Sequence, residues 1–394
     1  MPMESTSFTE LGIGEDLTQR LEKNGIKTPS LVQQKVIPLL ASGQNIMFQS
    51  ETGTGKTFAY LLPLIQKMEA ESNEDKSVRL LIATPTYELA SQIKVQVQLI
   101  TELKCILCIG GAPINRQIEM LKSKPDIVVG GAGRLLELIH LKKLKADKVR
   151  FLVLDETDRL LSRELRDLTR DLMERLPKKV QLIGCSATVN EFTVKTLEKM
   201  RPPAEDGQNS PLSLVTLPAE DVLRKRISHW AIYAERRNKI DTLRSFINAV
   251  QPKKLIVFTA RNDQLPIIVE KLRWRKINCE GLSSKEDKKT RKTAIDRFRS
   301  GKVAVLVTTD LASRGLDIPG ISHVVQMDMP EDDDFFIHRA GRTARMGTSG
   351  VNCVIGDERE LRLYAALEKK LALTVYPKEL RNGKLNSIEG AAQD

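Results

Sequence analysis

Twice along this chain, short runs rich in Val, Ile and Leu alternate with longer amphipathic stretches. Such runs read as strands buried on both faces, and the stretches between them as crossover helices. Each half is therefore expected to be α/β, a doubly wound, mostly parallel sheet with helices on both faces. Strands are expected near residues 44–49, 80–84, 127–130, 151–155 and 180–185, and again near 255–259, 303–308, 323–327 and 351–355. Between the halves, residues 201–218 (RPPAEDGQNSPLSLVTLP) replace the periodic pattern with prolines and turn formers, which reads as a linker. The expected plan is a domain over 1–200, the linker, a second domain over 219–380 and a polar, frayed tail over 381–394. With 394 residues, 41% of them apolar, the chain can fill two cores.

Directly after the first expected strand comes Ser50-Glu51-Thr52-Gly53-Thr54-Gly55-Lys56-Thr57, followed by the helical pattern FAYLLPLIQKM. This is a phosphate-binding loop with Ser50 at the position of the usual first glycine. Gly53 and Gly55 let the backbone curl so that N–H groups face phosphate oxygens. Lys56 supplies a charge, and the Thr57 hydroxyl suits a magnesium ion. Such a loop needs an acid on a neighbouring strand, and the run Phe151–Leu154 leads into Asp155-Glu156-Thr157-Asp158. Asp155 is placed to hold the metal and Glu156 to act as general base on a water. A strand-end acidic pair can also simply cap a helix; the phosphate loop favours the catalytic reading.

Lys and Arg exceed Asp and Glu by 62 to 51, a formal charge of +11 that favours polyanions without distinguishing RNA, DNA or an acidic protein. Aromatic residues make up 4%, which argues against base stacking as the main grip. The five cysteines fit reduced thiols, and Cys105-Ile-Leu-Cys108 reads as a buried strand, having no second pair or nearby histidine for zinc. No run approaches the ~18 apolar residues of a membrane span, and the first residues lack a signal-peptide layout. A soluble, cytoplasmic protein without membrane association is expected.

On these residues the chain resembles the DEAD-box family of superfamily 2 RNA helicases, from about Phe8 to about Tyr376. Asp155–Asp158 stands where that family has D-E-A-D, Ser186-Ala187-Thr188 matches its S-A-T, and Pro85–Gln92 is similar to its P-T-R-E-L-A-x-Q. Gly25–Gln33, with Phe8 upstream, resembles the adenine-reading Q motif; Gln33 can donate to and accept from the adenine edge at once. In the second half, Thr308–Asp317 is similar to A-T-D-x-x-x-R-G-x-D, and His338–Arg345 to H-R-x-G-R-x-G-R.

The resemblance implies two tandem RecA-like domains that bind ATP and Mg2+. It implies nucleotide contacts from Phe8, Gln33, Thr52, Gly53, Thr54, Gly55, Lys56, Thr57, Gly315 and Asp317, and metal ligation by Thr57 and Asp155. Lys56, Glu156 and the arginine fingers Arg342 and Arg345 would be catalytic. Asp158, Ser186, Thr188 and His338 would couple hydrolysis to domain movement. RNA would be gripped by its backbone at Pro85, Thr86, Gly110, Gly111, Gly133, Arg134, Arg291 and Thr309, largely without regard to base sequence. The expected protein is an RNA-stimulated ATPase that separates strands locally or remodels ribonucleoproteins, a monomer with room for a protein cofactor.

Departures gather on the RNA side. Tyr87 replaces an arginine, and packing and stacking on a base both stay open for it, with packing preferred. Gly130–Arg134 replaces T-P-G-R, Lys288 and Ser283 stand where glutamine and histidine are usual, and Ala344 replaces a glycine. Two alternatives stay open at this point: a DNA-directed motor of the same superfamily, and an ATP-dependent RNA clamp that unwinds little.

Overall fold

The computed structural model describes residues 6–49, 54–186, 189, 191–201, 212–216, 220–283, 285–313, 318–330, 332–344 and 348–388. The chain divides into two units, Met1–Leu217 and Pro218–Asp394.

The first unit carries strands β1 (Asn45–Gln49), β2 (Leu80–Ala83), β3 (Cys105–Cys108), β4 (Ile127–Gly130), β5 (Phe151–Asp155), β6 (Gln181–Ser186) and β7 (Leu212–Val215). They form one sheet in the order β3-β4-β2-β5-β6-β1-β7, and every pairing is parallel. Residues along each strand alternate between two cores. Ile46, Phe48, Leu80, Ile82, Phe151 and Val153 face one layer, and Met47, Leu81, Ala83, Leu152 and Leu154 face the other. Burying each such side chain stabilises the fold by roughly 1.5–3 kcal/mol, which is why unbroken apolar runs mark these strands.

The second unit repeats the plan with β8 (Ile227–Tyr233), β9 (Leu255–Phe258), β10 (Cys279–Leu282), β11 (Val305–Thr308), β12 (His323–Gln326), β13 (Gly350–Gly356), β14 (Val375–Arg381) and β15 (Lys384–Ser387). The order is β10-β11-β9-β12-β13-β8-β14-β15, parallel except for the terminal β14–β15 hairpin.

Two boundaries differ from the sequence expectation. Leu212–Val215, assigned to the linker, pairs in register with Asn45–Phe48 and buries Leu212. The expected tail from residue 381 instead supplies β15, paired with β14 through Arg381↔Lys384 and Lys378↔Ser387. Both segments lie at or next to a sheet edge, where one exposed face admits polar residues and hides the apolar signal. β8 and β10 also lack a continuous apolar run; β10 reads Cys-Glu-Gly-Leu and occupies an edge. Cys105 and Cys108 lie in β3 as buried free thiols, and burial pushes both up to about 12.

Candidate functional site

In the first unit the site assembles at the C-terminal ends of β1, β2, β4, β5 and β6, where a parallel α/β sheet opens its ligand crevice. Thr52 and Gly53 of the phosphate loop lie outside the described residues. Thr54 and Gly55 lead into the helix Lys56–Glu69, whose N-cap is Gly55 at φ +91, a left-handed conformation that favours glycine. No side chain caps this terminus, so its first N–H groups are suited to phosphate oxygens.

Gln33 is 3% exposed. Its Oε1 accepts from the Ser30 backbone N–H at 2.8 Å, closing a capping box at the start of the helix Leu31–Ala41. Its Nε2 donates to the Gly55 carbonyl at 3.1 Å. Gln33 thus ties the start of the helix Leu31–Ala41 to the phosphate loop, and a Cβ at residue 55 would lie 2.5 Å from Nε2. Phe8 is buried in the core with Leu17, Leu21 and Val32.

Asp155 closes β5 and is 2% exposed. Its Oδ2 accepts from the Tyr60 hydroxyl at 2.9 Å, and its Oδ1 from the Glu156 N–H at 2.9 Å and the Cys185 thiol at 3.1 Å. Burial first, then the neighbouring Asp155, holds both Tyr60 and Cys185 well above their ordinary ranges, so both stay protonated donors. Lys56 is close enough to favour a Cys185 thiolate electrostatically. Asp155 receives only neutral donors and has no ion-pair partner among the described residues. A buried carboxylate beside a hydroxyl, both oxygen ligands, fits a hard divalent cation such as Mg2+.

Glu156 adopts φ +54, ψ +55 at the N-cap of the short helix Thr157–Leu160. A left-handed glutamate stores backbone strain of about 1 kcal/mol or more, and such strain concentrates where a side chain must be aimed. The departure at Thr157 has a structural reason. Its buried hydroxyl donates to the carbonyls of Leu154 at 2.7 Å and Cys185 at 3.2 Å, clipping the ends of β5 and β6 together. Asp158 is half-buried and Ser186 buried at the end of β6; Thr188 lies outside the described residues.

Of the residues expected on the RNA side, Thr86 caps the helix Tyr87–Ile100 by accepting from Leu89 N–H at 3.3 Å, with Pro85 before it. Tyr87 opens that helix and is 47% exposed. Gly110 and Gly111 are exposed after β3, with Gly111 at φ +70. Gly133 and Arg134 lie in the helix Ala132–His140. Arg134 donates to the Ala112 carbonyl at 3.0 Å and pairs with Glu137 at 2.8 Å, so it fixes the glycine loop.

The second unit shows a parallel arrangement. Arg291 donates to the Ser283 carbonyl at 2.9 Å and the Ala312 carbonyl at 3.3 Å, holding the loop after β10 against the helix Asp310–Ser313. Thr309 is buried, and no hydrogen-bond partner among the described residues engages its hydroxyl. Arg342 is buried after the helix Asp333–Ala340, which carries half-buried His338. Gly315, Asp317 and Arg345 lie outside the described residues. Ala344 takes φ +57, the conformation that makes glycine usual there.

Sequence reasoning singled out neither Tyr60 nor Arg339. Arg339 is 1% exposed and forms a fork with Asp310, both contacts at 2.7 Å, plus a 3.1 Å bond to Asp328. Its signal was present among the arginines of His338–Arg345, but its carboxylate partners are disclosed only by the fold.

Residues 30–197 match the family model for the DEAD/DEAH box helicase, and residues 238–347 that for the helicase conserved C-terminal domain. Among curated proteins, the chain is 35% identical over 370 residues to the DEAD-box ATP-dependent RNA helicase CshC of Bacillus cereus, covering 93% of this chain and 92% of that one. It is 30% identical over 366 residues to the DEAD-box ATP-dependent RNA helicase CshA of Bacillus subtilis, covering 92% and 72%. Among solved structures, S. cerevisiae Dbp5 bound to RNA and ADP BeF3 matches with TM-score 0.83 at 28% identity, covering 94% of this chain and 95% of that one.

Proposed function

This chain belongs to the DEAD-box family of ATP-dependent RNA helicases, and from that premise we propose how its own residues divide the work. The protein is an ATP hydrolase with two RecA-like units that acts on RNA. The observation that carries the assignment is the buried Asp155 carboxylate, held by Tyr60 at 2.9 Å, beside the helix that starts at Lys56.

In this reading the N–H groups around Gly55 and the Lys56 ammonium take the triphosphate, while Gln33 orients the adenine. Thr57 and Asp155 would hold Mg2+, which when bound would neutralise charge on the phosphates. Glu156 takes the proton from the attacking water at its carboxylate. Arg342 and Arg345, carried by the second unit, are assigned to the γ-phosphate, and Phe8, Thr52, Gly53, Thr54, Gly315 and Asp317 to the nucleotide. Asp158, Ser186, Thr188 and His338 are assigned to coupling.

RNA is gripped by its backbone at loops that Arg134 and Arg291 hold in place, with Pro85, Thr86, Gly110, Gly111, Gly133 and Thr309 beside them. Contacts of this kind carry little sequence information and weaken with salt. The protein works in the cytoplasm as a monomer.

Displacement of a short RNA duplex, measured with ATP and with no nucleotide, tests the reading. Strand release that requires ATP supports it. Binding that requires ATP but releases no strand favours a clamp, and equal ATPase stimulation by single-stranded DNA favours a DNA-directed motor.

A further inference from the structure

A chain of hydrogen bonds crosses three neighbouring strands of the second sheet. Gln326 of β12, Asn352 of β13 and His229 of β8 are all buried, in strands that otherwise bury mainly valine and isoleucine. Arg339 Nη1 donates to Gln326 Oε1 at 3.3 Å, and Gln326 Nε2 donates to Asn352 Oδ1 at 2.9 Å. Asn352 Nδ2 then donates to His229 Nδ1 at 3.3 Å and to the Tyr364 hydroxyl at 3.4 Å. Finally, His229 Nε2 lies 2.9 Å from the Leu223 carbonyl oxygen.

The two ends fix the direction of every bond between them. A guanidinium can only donate and a carbonyl can only accept, so each amide has one orientation. His229 likewise has one form, neutral, with Nε2 protonated and Nδ1 unprotonated. Turning either amide over would set two donors against each other inside the core, where an unmade hydrogen bond is costly. Burial agrees with the neutral ring, holding His229 down at about 4.

Both ends also lie at places that matter to the reaction. Leu223 belongs to the helix Glu220–Lys225, the first after the chain enters the second unit at Pro218. At the other end, Arg339 grips Asp310, the neighbour of Thr309, and its own carbonyl accepts from the Arg342 N–H at 3.1 Å. Packing alone would be served by more valine and isoleucine at these three positions.

We infer that Gln326, Asn352 and His229 are positioning residues for the arginine-finger loop. They hold Arg339 through Nη1, the nitrogen that Asp310 does not engage, and through Arg339 they set the backbone of Arg342. The inference rests on the assignment of Arg342 to the γ-phosphate.

The chain has four histidines, so 15N labelling of their rings gives a readable spectrum. Near neutral pH, His229 of the unaltered protein is expected with Nε2 protonated and Nδ1 unprotonated. Gln326→Glu keeps the shape, but its carboxylate, kept ionised by Arg339, has nothing to donate to Asn352. Asn352 must then turn over, and the His229 ring is expected to become protonated at Nδ1, one side chain removed from the substitution. Gln326→Met breaks the chain without adding a charge. It is expected to lower RNA-saturated kcat by about ten- to a hundredfold, the scale of a displaced catalytic group. Affinity for a fluorescent ADP analogue, which has no γ-phosphate, is expected to stay native. Turnover is read well below each variant's melting temperature, where lost stability alone leaves it unchanged. A His229 ring protonated at Nδ1 in the unaltered protein, an unchanged ring in folded Gln326→Glu, or native kcat in folded Gln326→Met would overturn the inference. Native turnover in Arg342→Ala would instead bring down the finger assignment, and the inference with it.

Discussion

The Tyr60 hydroxyl donates to the Asp155 carboxylate at 2.9 Å, both groups being buried. One phenol thereby ties the helix that starts at Lys56 to the carboxylate assigned to the metal, joining two elements far apart in sequence.

Tyr60→Phe removes that link at nearly constant volume. The Mg2+ concentration giving half-maximal nucleotide binding is expected to rise by about tenfold or more, the size seen when groups behind metal ligands are deleted. Nucleotide binding without Mg2+ should stay close to that of the unaltered protein, as read with a fluorescent ATP analogue. Stability should fall by about 1–2 kcal/mol, since a buried carboxylate oxygen loses its donor.

Gly130 is a backbone requirement rather than a flexible residue. A Cβ there would lie 2.0 Å from the Cys108 carbonyl oxygen and 3.1 Å from the Leu135 side chain. Because the nearer obstacle is main chain, Gly130→Ala must separate β3 from β4 at their C-terminal ends, and chemical denaturation should show a loss of about 2–4 kcal/mol. The same substitution at Gly301, where nothing lies within 4 Å but φ is +76, should cost only about 1 kcal/mol from strain.

Acid should weaken the second unit first. Burial holds His229 and His323 near a pKa of about 4, against an ordinary value near 6.5. The unfolded chain therefore binds the protons that the folded chain refuses. The stability these neutral rings contribute is complete above about pH 6.5, and it is lost as pH falls through the window down to about 4. For the buried His229 the slope is at most about 1.4 kcal/mol per pH unit. Emission from Trp230, whose ring centroid lies 6.2 Å from that of His323, followed through denaturant titrations from pH 7 to pH 4, checks it.

The sheet centres and the phosphate site were legible because their chemistry is local. Buried parallel strands such as β5 and β9 must be continuously apolar, and a phosphate loop must put its glycines, lysine and threonine in consecutive positions. What escaped reading depends on partners distant in sequence. Tyr60 looks like one more core aromatic until β5 brings Asp155 to it across 95 positions. Arg339 resembles Arg342 in a list of residues, yet it is locked to Asp310 and Asp328. β7, β10 and β15 were missed because edge strands need no apolar run on both faces. Thr157 read as a departure, and its hydroxyl proves to be spent on two carbonyls that no spacing rule would pair with it.

The account stands most directly on steady-state ATP hydrolysis titrated with single-stranded RNA, for the native protein beside Lys56→Ala and Glu156→Gln. Turnover should rise with RNA in the native protein and fall by at least about a hundredfold in both variants, with Glu156→Gln still binding ATP and releasing RNA more slowly. Hydrolysis indifferent to RNA, or native-like turnover in either variant, would contradict it.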